Sequence, residues 1–153
     1  MPAMDLVACY CANARRAALA LTARYDAALA PHGLKVTQFS LLHAVRRRGQ
    51  ANLTALAEAT GLDRSTLGRN LRGLQALGLV ALSAGEDQRD RVAALTPAGS
   101  ERLREAGAAW KAAQGALEAE LGDEAARFTA LTRQVAALPR RRDAAEAGGE
   151  VAP

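Results

Sequence analysis

The 153-residue chain is half apolar, has only 3% aromatic residues and carries a net charge of +4, which is enough apolar content to bury a core and to exclude disorder throughout. Its two cysteines, Cys9 and Cys11, are too few and too close for a disulfide framework, and the uncharged run over 6–14, bracketed by Asp5 and Arg15, is too short to cross a membrane. With no basic leader before that run, a soluble protein of the reducing cytoplasm is the expectation, mainly helical because the apolar residues are chiefly Ala and Leu.

Val7, Cys11, Ala14, Ala18, Leu21, Tyr25 and Ala28 recur at spacings of four and three, predicting a long helix over 6–30 that Pro31 and Gly33 end. A second helix follows, with Thr37 as its expected N-cap and Phe39, Leu42 and Val45 facing inward, until "RRRGQ" at 46–50 breaks the pattern. The densest stretch is "NLTALAEATGLDRSTLGRNLRGLQALGLV", 52–80. There Thr54 is the expected cap of a short helix, Gly61 stops it, and Asp63 caps another two residues later. The spacing is that of a helix-turn-helix. Along its second helix Leu67, Leu71 and Leu74 form one stripe, and Ser65, Arg69 and Arg72 form another. The first stripe packs; the second is left to face outward.

"LVALS" (79–83) and "RVAAL" (91–95) are the two plausible strands, and positions 86–91 between them hold five charges in six places. They predict a two-stranded hairpin with a charged tip. Thr96 followed by Pro97 reads as N-cap then first helical residue of a helix running to Leu121, with Leu103, Ala106, Trp110, Ala113 and Leu117 on one seam. Asp123 is expected to cap a last helix carrying Phe128, Leu131, Val135 and Leu138. The remaining residues, 139–153, have no apolar periodicity and are expected to form a flexible tail.

A helix-turn-helix followed at once by a hairpin is a winged helix, and its geometry gives the charged tip a purpose. A helix over 63–77 is roughly 22 Å long at about 1.5 Å per residue and narrow enough for the major groove of duplex DNA. The hairpin beside it brings Arg89, at the loop apex, to the neighbouring minor groove, where negative potential attracts an inserted arginine. Asp87 and Arg91 flank Arg89 and are placed to pair with each other and hold the loop's shape. The excess of positive charge agrees with a polyanionic partner.

"DQRDRVAALTPAG" and "LDRSTLGRNLRGLQALGLV" resemble the wing signature and the recognition helix of the MarR (multiple antibiotic resistance regulator) family of transcription factors, and with the flanking helices the resemblance covers about 6–138. It implies a fold that is mainly α (α+β), a single domain over 1–138 with a winged helix-turn-helix over 37–95 and a helical dimerisation part over 6–30 and 96–138. It implies a DNA-binding regulator, a repressor, in which Ser65, Thr66 and Arg69 face bases or phosphates and Arg89 enters the minor groove. Arg64, Gly68 and Arg72 share that helix and join the candidate set; Gly68 departs from the bulkier residue the family pattern leads one to expect. Because one winged helix makes few phosphate contacts, and the helices from both ends of the chain are too apolar to stand exposed, a two-fold homodimer reading a palindrome is expected, its recognition helices roughly 34–36 Å apart.

Members of the family respond to small phenolic ligands or oxidants, and Cys11 with Tyr25 is similar to the peroxide-sensing branch, in which a first-helix cysteine is oxidised and a tyrosine hydrogen-bonds its thiolate. Arg15 and Val36 stand where further tyrosines of that branch are expected, leaving Arg15 or Arg16 as candidate thiolate partners. Cys11 reads first as a small buried hydrophobe and second as a redox sensor, and Cys9 with Cys11 and His43 is a poor metal clip, so no metal or other cofactor is expected; His32 is expected at the surface. The rival class is a thiol- or metal-dependent helical enzyme using Cys11 and His43, but neither an oxyanion loop, a phosphate cradle nor an acidic pair accompanies them, and no catalytic residue is assigned. A helical protein-interaction module, the third reading, leaves Arg89 without a role. Double-stranded DNA, a second copy of the chain and a small effector or oxidant are the expected partners, with no membrane.

Overall fold

Six helices and three short strands alternate in the computed structural model, which describes residues 8–85 and 91–138. They are α1 (Tyr10–Leu29), a 3-10 turn (Ala30–His32), α2 (Val36–Arg48), β1 (Gln50–Asn52), α3 (Leu53–Thr60), α4 (Arg64–Ala76), β2 (Val80–Ala84), β3 (Arg91–Leu95), α5 (Pro97–Leu121) and α6 (Glu124–Ala136). The chain divides into two compact units, 1–113 and 114–153, with the boundary inside α5. The expectations for Asp87, Arg89, Val7 and the tail 139–153 lie outside the described residues.

The first unit packs around Leu29, Leu41, Leu42, Val45, Leu56, Leu67, Leu71, Leu74 and Leu103, all at 2% exposure or less. Burying a leucine stabilises by about 1.5–3 kcal/mol, so the helical stripes hold this unit together. On α5, Trp110 is stacked between Tyr25 of α1 and Phe39 of α2, with ring centroids 6.3 and 5.9 Å away and planes within 18° and 14°. Arg102 ties the same helix to the 3-10 turn, its Nη1 donating to the His32 carbonyl at 2.9 Å.

Tertiary structure corrects three capping expectations. Helix α2 starts at Val36, one residue before the expected Thr37 cap, because Asp26 of α1 accepts from the Val36 N–H at 2.7 Å and Gln38 accepts from the Lys35 N–H at 2.9 Å. Helix α3 is capped by Asn52, whose Oδ1 accepts from the Ala55 N–H at 2.8 Å, and not by Thr54. Asp123 stands at the N-cap position of α6 in helical conformation and makes no side-chain cap bond, since Gly122 at φ 54° already turns the chain there. The predicted caps Asp63 and Thr96 hold: the Thr66 N–H donates to Asp63 at 2.9 Å, and the Gly99 N–H donates to the Thr96 hydroxyl at 2.9 Å.

The sheet has three strands where two were expected. β3 is central, pairing antiparallel with β2 from Val80↔Leu95 to Ala84↔Arg91, and with β1 from Gln50↔Ala94 to Asn52↔Val92. Three residues without alternation carry no strand signal of their own; β1 forms because it covers the free edge of β3. The first helix is also corrected: of its expected seam, Leu21, Tyr25 and Ala28 are half-buried, while Cys11, Ala14 and Ala18 are exposed in the single chain.

Candidate nucleic-acid interface

The exposed face of α4 is set by the cap at its start and by the buried stripe opposite it. At its start Asp63 accepts from the Thr66 N–H and, at 2.7 Å, from the Thr66 hydroxyl, and these two bonds hold the Asp63 carboxyl below the usual carboxylate range. A depressed pKa means that this cap stabilises the fold above the ordinary carboxylate range and is lost as the pH falls through it. Leu67, Leu71 and Leu74 are buried at 1% exposure or less, which forces Ser65, Arg69 and Arg72 outward, where all three are exposed.

Two of the candidate residues are engaged within the motif. Arg64 donates through Nη2 to the Thr54 hydroxyl at 2.7 Å, linking the first turns of α3 and α4. Thr66 is half-buried: its hydroxyl serves Asp63 and also accepts from Arg69 Nη2 at 3.3 Å, so it steers the arginine. Arg91, at the start of β3, is exposed and does not stand alone: with Gly68 and Arg72 it lines a cleft of about 150 Å³ between α4 and the hairpin, floored by Leu53, Leu71 and Leu82. Two guanidinium groups on one small cleft make a locus for a phosphate. Sequence reasoning missed it, because 72 and 91 lie on different elements and only the antiparallel register brings them together. Arg89 and Asp87 fall outside the described residues.

At Gly68 a Cβ would meet nothing within 4 Å. Gly68→Ala is therefore expected to raise stability by about 1 kcal/mol through helix propensity, read as a later midpoint in urea denaturation. A lower midpoint would show a contact at 68 that the open space around it does not provide.

The sensor candidates are scattered. Cys9, half-buried, sits at the N-cap position of α1, and Cys11 is exposed, so the buried-hydrophobe reading of Cys11 is corrected for the single chain. Tyr25 is fourteen positions along the same helix, about 21 Å at 1.5 Å per residue, and stacks on Trp110. It cannot reach Cys11 of its own chain. His43 is half-buried on α2, its pKa lowered by burial and then by the charges of Arg46 and Arg47. His32, expected at the surface, is half-buried as its carbonyl meets Arg102. Among the described residues no three His, Cys, Asp or Glu side chains cluster, and no described helix is long and apolar enough to cross a membrane. A cleft of about 600 Å³ opens between α2 and α5, lined by Phe39 and Trp110 on its aromatic side and by His43, Arg46 and Lys111 on its basic side.

A short capped helix, a tight turn, a second helix with one buried and one exposed stripe, and a hairpin returning beside it define a winged helix-turn-helix protein. The sequence model of the MarR family matches residues 32–90. The transcriptional regulator MosR of M. tuberculosis, solved in complex with DNA, is 38% identical over 84% of this chain and 96% of its own, with a TM-score of 0.75. PcaV of Streptomyces coelicolor, solved with its natural ligand, is 28% identical over 89% of this chain and 97% of its own, TM-score 0.80. CouR of Rhodococcus jostii RHA1, bound to p-coumaroyl-CoA, is 25% identical over 89% of this chain and 96% of its own, TM-score 0.72. No curated protein matches the sequence. The chain belongs to the MarR family of transcriptional regulators.

Proposed function

We propose that this chain is a repressor that binds a palindromic operator as a homodimer and is released by a small-molecule or oxidant signal. The observation that carries the reading is the exposed Ser65, Arg69 and Arg72 row on a helix whose opposite stripe is fully buried, with Arg91 converging on Arg72 from the hairpin. A similar structure, MosR, has been solved with DNA. Arg69 and Ser65 are assigned to base and phosphate contact, Arg72 and Arg91 to phosphate, Arg64 and Thr66 to positioning, and Arg89 to the minor groove; residues 37–95 form the DNA-binding part. In that role the protein resides with DNA in the cytoplasm. A mobility-shift titration at two salt concentrations tests it: log K should fall by about 0.9 per phosphate neutralised for each decade of salt. Arg69→Ala should cost roughly 1–3 kcal/mol of affinity. Salt-independent binding, or none to the promoter of its own gene, overturns the reading.

The dimerisation part is assigned to the helices of 6–30 and 96–138, because both units expose large apolar side chains: Tyr10 and Leu19 in the first, Leu131, Val135 and Leu138 in the second. The α2–α5 cleft suits an aromatic anion as effector, its ring against Trp110 and its charge towards Arg46 and Lys111. For an oxidant signal, exposed Cys11 is the group that can react, and Tyr25 can approach it only from the second subunit. Peroxide should release DNA from the parent protein and not from Cys11→Ser; equal release from both sinks the thiol reading and leaves the ligand one.

A further inference from the structure

A second cleft, of about 580 Å³, opens between α2 and the end of α3, sharing only Ser40 and His43 with the cleft beside α5. Its chemistry is one-sided. The lining contains the cations Arg47 and Arg48 and no carboxylate. Among the described residues, neither arginine has an ion-pair partner, whereas Arg104 and Arg127 are each matched by a glutamate three positions earlier on the same helix. Thr37 and Ser40 add hydroxyls on the α2 wall. Thr60, opposite, has its hydroxyl committed to the Leu56 carbonyl at 2.7 Å, which leaves it an acceptor and removes it as a donor. Ala59 and Leu62 give the cleft an apolar side.

Unpaired guanidinium groups beside an apolar wall are the arrangement that holds a charged head and a hydrophobic body together. We infer that the α2–α3 cleft is a binding site for a small organic anion, one carboxylate or phosphate head on a compact apolar body, held by Arg47 and Arg48 with Thr37 and Ser40. His43 is held below its usual pKa first by burial and then by the charges of Arg46 and Arg47, and an anionic head group arriving beside Arg47 should raise it. Binding itself does not depend on the DNA reading. Its regulatory meaning does: Leu62 of this cleft immediately precedes Asp63, the cap of the helix assigned to DNA.

The test uses the full chain, whose two histidines give separate imidazole signals. Benzoate, phenyl phosphate and inorganic phosphate are titrated to about 10 mM by NMR, while the fluorescence of Trp110, the chain's one tryptophan and a residue that lines the α2–α5 cleft and not the α2–α3 one, is recorded. Expected is a saturable shift of His43 but not of His32, with benzoate or phenyl phosphate, little change in Trp110, and weakening of about tenfold or more in the Arg47→Gln, Arg48→Gln double variant. Whichever of the two organic probes is tighter names the head group. Inorganic phosphate binding as well as both organic probes would show charge attraction without a site and overturns the inference. So does binding that survives the double variant and quenches Trp110, which places the anion beside α5. Absence of any saturable shift also overturns it, as does a double variant that loses only DNA affinity, which makes the arginines phosphate-backbone contacts.

Discussion

Leu131→Glu converts the protein to a monomer, and its operator affinity falls by at least about a hundredfold. On α6 Phe128, Leu131 and Val135 follow the helical repeat and are exposed by 38%, 60% and 56% in the single chain, and Leu138, two residues past the end of the helix, by 62%. An isolated surface leucine is ordinary; three large apolar side chains on one stripe, with a fourth just past its end, are not. In a two-fold interface every residue is used twice, so each buried leucine contributes about 1.5–3 kcal/mol per copy, and one carboxylate per subunit places two charges in the apolar seam. Losing the second half-site removes the avidity of linked binding, which is worth on the order of 10²–10⁴. Light scattering reads the mass and a mobility shift the affinity. A variant that keeps the dimer mass rejects α6 as the interface; a monomer that binds DNA unchanged rejects the two-fold operator.

Gly99→Ala destabilises the fold by about 3 kcal/mol or more, a fall in melting temperature of about 6 °C or more. A Cβ at 99 would stand 1.9 Å from the Leu79 carbonyl oxygen and 2.9 Å from its carbon. Both are backbone, so no side-chain rotation relieves the clash. The first turn of α5 must lift away, and the bonds that seat it are lost with it: the Thr96 N–H to the Leu79 carbonyl at 3.2 Å and the Thr96 hydroxyl to the Gly78 carbonyl at 2.7 Å. Gly68→Ala is the matched control, the same chemical change in a helix with open space above it, and has the opposite sign. Thermal denaturation of both settles the comparison; Gly99→Ala melting with the parent would disprove the close approach.

Much of this was legible without coordinates. The spacing of Leu67, Leu71 and Leu74 against Ser65, Arg69 and Arg72 is a property of helical periodicity, and Asp63 and Thr96 cap by bonds that span three residues. The run "LTPAG" is local in the same way, though its glycine, Gly99, is required by the carbonyl of Leu79, far behind it in the chain. Where the reading failed, the determining partner was distant in sequence. Thr37 and Thr54 are sound caps by type, but Asp26 reaches Val36 from another helix and Asn52 stands at a chain bend set by β1.

The sequence by itself determined the order of the elements, the two faces of α4 and the start of α5, because those depend on interactions within about four residues of the chain. Only the tertiary structure decided that three residues at 50–52 become a strand, that Arg72 and Arg91 share one cleft, and that Cys11 stands exposed about 21 Å along α1 from Tyr25. Strand pairing, converging charges and burial belong to pairs of surfaces, and no periodicity along a single segment specifies the surface it will meet.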